Sequence, residues 1–183
     1  LNTLVLYNNR LSGPLPDIYA PDSQLSFIDV NGLNFLTGTL PPALGQLPNL
    51  EYLYAGLNQF TGPIPASLGN VSSLLGMYIK YNALTGTLPP ELASLQSAIF
   101  LEVSGNHLTG TLPEVWATLT GLHELHVDQN RLTGTVPNSY MDLQLMTFAA
   151  VGNCFEGSLP QAACGSSNLQ VLALSGLQSS PAC

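Results

Sequence analysis

The sixteen residues LEYLYAGLNQFTGPIP, from Leu50 to Pro65, decide the fold of this chain because their pattern returns along its length. The pattern is L-x-x-L-x-L-x-x-N-x-L-[ST]-G-x-[LIV]-P, with apolar residues exchanged at some places. It returns every 23 to 25 residues, and the asparagine at its ninth place recurs in all seven copies, as Asn9, Asn34, Asn58, Asn82, Asn106, Asn130 and Asn153. A fixed period of this length predicts a solenoid of stacked coils.

Each repeat contains two extended segments and one turn. In the first segment, for example residues 50–55, apolar and variable residues alternate, which predicts a half-buried strand that pairs in parallel with its counterparts. The second segment ends at a proline, and the apolar residues after it are three apart, which predicts a short 3₁₀ or helical turn on the convex side. We expect one solenoid domain over residues 1–183, whose coils start near residues 1, 25, 50, 74, 98, 122, 145 and 169, the last being a C-terminal cap.

The repeated asparagine has a structural interpretation. A turn leaves backbone donors and acceptors without partners, and a carboxamide offers both a donor and an acceptor to them. Because one asparagine recurs in every repeat, we expect these side chains to form a ladder along the solenoid.

The composition argues against several classes of partner. Apolar residues make up 45% of the chain and charged residues 8%, and the basic residues are Arg10, Lys80 and Arg131. The net charge of -8 repels nucleic acids and anionic lipid headgroups, and no apolar run is long enough to enter a membrane. No signal segment precedes Leu1, whose coil would expose an apolar face. We expect that residues before Leu1 were processed or are omitted from this sequence, or that another molecule stacks on this coil.

The three cysteines, Cys154, Cys164 and Cys183, fall near the end of the chain, where a secreted solenoid needs a staple. This placement favours an oxidising compartment, with a Cys164–Cys183 disulfide and Cys154 left free. The alternative is a cytosolic protein with three buried free thiols.

The Leu-[Ser/Thr]-Gly-x-[Ile/Leu]-Pro half of the frame resembles the plant-type leucine-rich repeat, and the match covers nearly the whole chain. The resemblance implies a right-handed α/β superhelix with a parallel concave sheet, a short second sheet and convex turns. It also implies an extracellular, secreted or cell-surface location. The chain departs from the family in lacking the paired cysteines that typically precede such repeats.

Variable strand residues predict a ligand-binding surface on the concave face. Aromatic residues crowd coils two to five, and an exposed apolar patch with a charged edge is typical of binding sites for proteins, peptides or glycans. The predicted binding residues are Phe27, Asp29, Tyr52, Tyr54, Tyr78, Lys80, Tyr81, Phe100, Glu102, Glu124 and His126. The alternative is that the rings only stabilise the sheet by cross-strand stacking. Glu102, Glu124, His126 and Asp128 form a carboxylate and imidazole set that can hold a divalent metal, and the alternative is a solvated acidic stripe.

The second extended segments carry an array of hydroxyl groups from Thr37, Thr39, Thr61, Thr85, Thr87, Thr109, Thr111, Thr133 and Thr135. Threonines two residues apart in a coil, repeated at the strand spacing of about 4.8 Å, form a grid that could match an ice lattice or carry O-linked sugars. The alternative is that threonine only follows extended-chain preference. Asn70-Val-Ser72 is an N-glycosylation acceptor on the predicted convex side.

The sequence predicts a binding protein in preference to an enzyme. The glycines follow the coil period and form no phosphate-binding or cofactor motif, and His126 has no nucleophile arranged beside it. We expect a non-catalytic extracellular recognition or adhesion module. The second hypothesis is a structural glycoprotein of a cell wall, surface coat or filament, assembled by end-to-end stacking. The third is ice binding through the threonine array.

Overall fold

The computed structural model describes residues 1–32, 34–158, 160–165 and 168–174, apart from the side chain of Cys164. Within these residues the strands are β1 Thr3–Val5, β2 Ser12–Pro14, β3 Phe27–Asp29, β4 Phe35–Thr37, β5 Tyr52–Tyr54, β6 Thr61–Gly62, β7 Gly76–Tyr78, β8 Ala83–Leu84, β9 Phe100–Glu102, β10 Glu124–His126, β11 Thr133–Gly134, β12 Thr147–Ala149, β13 Cys154–Phe155 and β14 Val171–Ala173. The 3₁₀ turns are Pro42–Gln46, Ala66–Asn70, Pro90–Ser94, Glu114–Thr118, Asn138–Asp142 and Gln161–Gly165.

One parallel sheet contains the first strand of every coil, in the order β1-β3-β5-β7-β9-β10-β12-β14. The central residues of these strands lie opposite one another, so that Leu53 pairs with Met77 and Met77 with Leu101. All three are fully buried. Because side chains alternate along a strand, the residues on either side of each central residue face away from the core. The solenoid prediction is confirmed.

In the described part of the chain, the second extended segments pair in parallel as three separate two-stranded pieces, β2-β4, β6-β8 and β11-β13. Single bridges between Thr39 and Thr61 and between Thr87 and Thr109 connect further coils. In each case the two paired residues hold different positions in the repeat. The partner in the next coil stands two positions earlier in its own repeat. The second sheet is therefore staggered by two residues per coil, while the concave sheet is not.

The repeated asparagines hydrogen-bond the coils to one another. The Nδ2 of buried Asn106 donates to Ile79 O of the preceding coil, at 3.2 Å, and to Val103 O and Ser104 O of its own coil. Its Oδ1 accepts from the backbone N–H of Leu84 in the preceding coil, at 3.0 Å. Equivalent bonds to both coils are made by Asn34, Asn58, Asn82, Asn130 and Asn153.

Prolines start the convex turns. Small residues where neighbouring turns meet allow these turns to pack closely. Pro41 directly precedes the turn Pro42–Gln46, and a Cβ on Gly45 would collide with the backbone of Ser67 in the next turn. Two bulky residues also bond between coils. Trp116 Nε1 donates to Pro89 O at 3.0 Å, and Tyr140 Oη donates to Pro113 O at 2.8 Å, each 27 residues back along the chain.

Candidate binding site on the concave sheet

The register of the concave sheet places the variable residues in two parallel rows. The first row, in coil order, is Thr3, Phe27, Tyr52, Gly76, Phe100, Glu124, Thr147 and Val171. The second row is Val5, Asp29, Tyr54, Tyr78, Glu102, His126, Ala149 and Ala173. Aromatic residues thus occupy the middle of both rows, and charged residues follow them.

Five aromatic rings are in mutual contact across β3, β5, β7 and β9, and we call them the aromatic platform. The Tyr78 centroid lies 4.7 Å from that of Tyr54 and 4.3 Å from that of Phe100. The Tyr52 centroid lies 6.2 Å from Tyr54 and 6.1 Å from Phe100. Phe27 completes the group, 5.9 Å from Tyr52 and 5.4 Å from Tyr54. Each ring is only half-buried, so the platform has one face against the sheet and its neighbours and one face open.

Gly76 makes this platform continuous. It occupies the row position between Tyr52 and Phe100, and a Cβ there would collide with the Phe100 ring. Phe100 therefore covers the glycine and reaches back to Tyr52 across one whole strand. The gap that the sequence shows in the aromatic row is filled by a neighbouring ring.

Tyr81 is not part of the platform, which corrects its place in the predicted patch. Its backbone has a φ of 51°, in the left-handed region, and its ring lies against Gly105 at the exit of the sheet. There it lines a shallow groove of about 350 Å³ with Phe35 and Leu57, and these three side chains are 44%, 50% and 48% exposed. Sequence reasoning missed Phe35 and Leu57. The sequence did carry a signal for Leu57. Leu57 and Gly105 occupy the same position of the frame in their coils, and both have a positive φ. The glycine in one coil thus indicates a left-handed turn at that position in the other.

The charged residues are arranged as pairs beside the platform. Lys80 Nζ lies 3.1 Å from a carboxylate oxygen of Glu102. His126 Nε2 is buried without a hydrogen-bond partner, and the carboxylate of Glu124 lies 3.8 Å from it. Glu124 is the more exposed of this pair, at 46% of its side chain.

Two further acids bond to polar groups of the sheet. Asp128 accepts a hydrogen bond from Ser104 Oγ at 2.7 Å, and Asp29 accepts one from the backbone N–H of Asn31 at 2.9 Å. Among the described residues no group of three or more His, Cys, Asp or Glu side chains is placed to hold a metal ion.

The surroundings of Tyr78 and Tyr54 in the platform raise the pKa of both side chains. Burial, followed in decreasing order by the neighbouring Tyr54, Glu124 and Glu102, raises the pKa of Tyr78 to about 12. Burial, followed by Tyr52 and Asp29, also raises the pKa of Tyr54. Nearby negative charge and partial burial both disfavour the phenolate, so these hydroxyls remain protonated donors at neutral pH.

The other predicted sites lie elsewhere on the solenoid. Asn70 is exposed at the end of the convex turn Ala66–Asn70. Cys154 is a free, exposed cysteine, whereas the expected bridge from Cys164 to Cys183 falls outside the residues and side chains described. No helical turn in the described ranges is long and apolar enough to cross a membrane.

The threonines of the second segments are exposed, except for half-buried Thr37. The hydroxyls of Thr61, Thr109 and Thr133 each donate to the carbonyl of a glycine in the preceding coil, at 3.2 to 3.3 Å. Because the second sheet is staggered, Thr39 lies opposite Thr61 and not opposite another residue of its own frame position. The grid of threonine hydroxyls therefore runs diagonally across the coils.

Comparison with known proteins identifies the class. A leucine-rich repeat family model matches residues 49–71. The plant peptide hormone receptor RGFR1, solved in complex with RGF2, superposes with a TM-score of 0.93 and 31% identity over 97% of this chain and 28% of the receptor chain. The Arabidopsis receptor kinase HAESA, in complex with the peptide hormone IDA and the co-receptor SERK1, gives a TM-score of 0.90 and 31% identity over 97% of this chain and 30% of that chain.

The chain is a leucine-rich repeat protein of the plant type. It spans less than a third of the length of these two receptor chains. A plant ice-binding protein also shares the fold, with a TM-score of 0.70 and 27% identity over 100% of this chain and 69% of that one. Comparison with curated protein sequences finds no match.

Proposed function

We propose that this chain is an extracellular recognition module that binds a peptide or an extended protein segment on its concave sheet. The observation that carries the proposal is the aromatic platform, five half-buried rings in contact across four neighbouring strands. Tyrosine and phenylalanine give large contact areas at a low cost in side-chain entropy, and they are enriched in interfaces for that reason.

The similar structures support this proposal. RGFR1 and HAESA are receptors in complex with peptide hormones, and a third, the ectodomain of the Arabidopsis membrane receptor kinase GASSHO1/SCHENGEN3, is in complex with CASPARIAN STRIP INTEGRITY FACTOR 2. That third chain matches this one with a TM-score of 0.85 and 31% identity over 98% of this chain and 24% of its own. In our proposal the chain likewise acts by binding, outside the cell, and has no catalytic role.

The test is a binding screen against secreted peptides and proteins with a matched pair of variants. Tyr54→Ala combined with Tyr78→Ala removes two adjacent rings from the platform, whereas Tyr7→Ala removes a tyrosine that is 52% exposed outside it. We expect the double variant to weaken the detected interaction at least about tenfold, the scale of a lost interface hot spot, and the control to leave it unchanged. Equal affinities for the wild type and the double variant would exclude the concave site.

Ice binding through the threonine array is the second candidate. It is supported by the exposure of eight of the nine threonines and by the ice-binding plant protein of the same fold. The diagonal stagger and the exposed Pro63, which follows Gly62 where four other coils have threonine, interrupt the regularity of the array. Thermal hysteresis and crystal shaping in a freezing assay, both lost on Thr87→Tyr, would support this candidate. Their absence in the wild type would remove it.

A further inference from the structure

We infer that the occupant of the concave face is a cationic peptide, an extended segment with two arginine or lysine side chains about six residues apart. This inference rests on the proposed function and names its ligand class. The two basic side chains would bind at opposite ends of the aromatic platform, one at Asp29 and the other at Glu124.

The charge balance of the concave sheet selects a cation. Four carboxylates flank or follow the platform, at Asp29, Glu102, Glu124 and Asp128, against one ammonium group, at Lys80. Lys80 is already paired with Glu102, so among the described residues of this surface no unpaired lysine or arginine faces an incoming ligand. An anionic ligand would meet net repulsion, whereas a cationic one would be attracted during approach and after docking.

The two ends of the platform differ from the middle in having carboxylates without a cationic partner. Asp29 is in register with Tyr54. Its carboxylate accepts a hydrogen bond from the backbone N–H of Asn31. Glu124 is in register with Phe100, and its nearest charged neighbour is His126, which is charged only if protonated. Each end therefore offers a carboxylate beside an aromatic ring, a combination that suits a guanidinium or ammonium group by ion pairing and by cation–π contact.

The spacing of the two ends sets the spacing of the two basic residues. Asp29 is on β3 and Glu124 is on β10, four strand intervals away in the sheet order. At about 4.8 Å per interval, with a shift of one row, this separation is about 20 Å. An extended peptide covers about 3.3 Å per residue, so about six residues bridge the two carboxylates. The residues between them would lie over the platform, where apolar and aromatic side chains pack best.

The experiment uses four synthetic heptapeptide pools with random apolar and small residues at the remaining positions. The first pool has arginine at both ends, the second has citrulline at both ends, the third has glutamate at both ends, and the fourth has two adjacent arginines. Citrulline keeps the size and planar shape of arginine but is uncharged, with a carbonyl oxygen in place of one donor group. Equilibrium binding to the whole chain is measured by fluorescence anisotropy in about 50 mM salt, where exposed charges are weakly screened.

We expect the pool with arginine at both ends to bind at least about tenfold more tightly than the other three. Glu124→Gln and Asp29→Asn should each reduce its affinity about threefold to tenfold while leaving the citrulline pool unchanged. Glu156→Gln is the matched control, because Glu156 is an exposed acid next to the second sheet, after β13. Its loss should have no effect, and thermal melts confirm that each variant is folded.

The outcomes separate this inference from the function on which it rests. Equal binding of the arginine and citrulline pools, both abolished by Tyr78→Ala, would overturn the cationic ligand and keep concave recognition. Equal binding of the two arginine pools would overturn the spacing. An arginine preference that survives Glu124→Gln, Asp29→Asn and Tyr78→Ala would place binding on another part of the acidic surface and overturn the inference. If no pool binds, the inference also fails, and the concave site is then judged by the screen of secreted partners.

Discussion

Replacing Asn106 with leucine tests the asparagine ladder at one of its most buried members, which is 4% exposed. The substitution removes four hydrogen bonds, but the loss of each bond has a different cost in stability. The three carbonyls that Asn106 binds each keep another donor, from Asn82, Asn130 and the backbone of Tyr81. The N–H of Leu84 has Asn106 Oδ1 as its partner, and it lies in a fully buried residue. Leaving such a donor unsatisfied costs about 1–3 kcal/mol.

The expected total is about 2–4 kcal/mol, because each weakened carbonyl adds a smaller loss to the unmet Leu84 N–H. Asn9→Leu is the control, since Asn9 is exposed and bonds only within its own coil, to Leu6 O and Tyr7 O. It should change stability by about 0.5 kcal/mol or less.

The assay is urea unfolding followed by the fluorescence of Trp116, the single tryptophan, which is fully buried. The ladder account requires a lower midpoint for Asn106→Leu at an unchanged slope. If the two asparagine variants unfold at the same midpoint, the carboxamide does not connect the coils as described.

Three more perturbations test other parts of the structure. Gly45→Ala should destabilise the fold by about 1–3 kcal/mol because its Cβ meets the backbone of Ser67, whereas Gly121→Ala, whose nearest contact would be 3.6 Å, should be tolerated in the same urea assay. Tyr140→Phe should cost about 1 kcal/mol through loss of its 2.8 Å bond to the preceding coil, and an unchanged midpoint would refute that role. Because the pKa of Tyr78 is raised from 10 to about 12, its contribution to stability is complete below pH 10 and is lost as the pH rises toward 12. Absorbance titration of the folded protein should show a tyrosine that ionises near pH 12, absent from Tyr78→Phe; a tyrosine phase near pH 12 that persists in the variant would contradict the assignment.

The sequence predicted the concave sheet well because two simple periods determine it. The coil period places Tyr54 next to Tyr78, and the strand period turns both away from the core, so both rows of variable residues follow from counting alone. The solenoid, its parallel sheet and its 3₁₀ turns follow in the same way. Local patterns suffice here because each coil contacts only its neighbours.

What the sequence did not reveal depends on conformation within a coil. Tyr81 follows the strand by a few residues, but its positive φ turns its ring to the edge of the sheet, away from the platform. The bond from Trp116 to Pro89 needs a distance between turns that no pattern supplies. The Lys80–Glu102 pair likewise depends on which long side chains reach one another, and it leaves Asp29 and Glu124 without a lysine or arginine partner.

The most direct test of concave recognition is hydroxyl-radical footprinting of the chain with and without a partner recovered from the binding screen. Tyr7 and Tyr81 lie outside the platform, at 52% and 44% exposure, and serve as internal references. Our account predicts that the partner protects Tyr54 and Tyr78 from oxidation and leaves both references unchanged. Protection confined to the convex turns or to the second sheet, with Tyr54 and Tyr78 oxidised at their free rate, would contradict it.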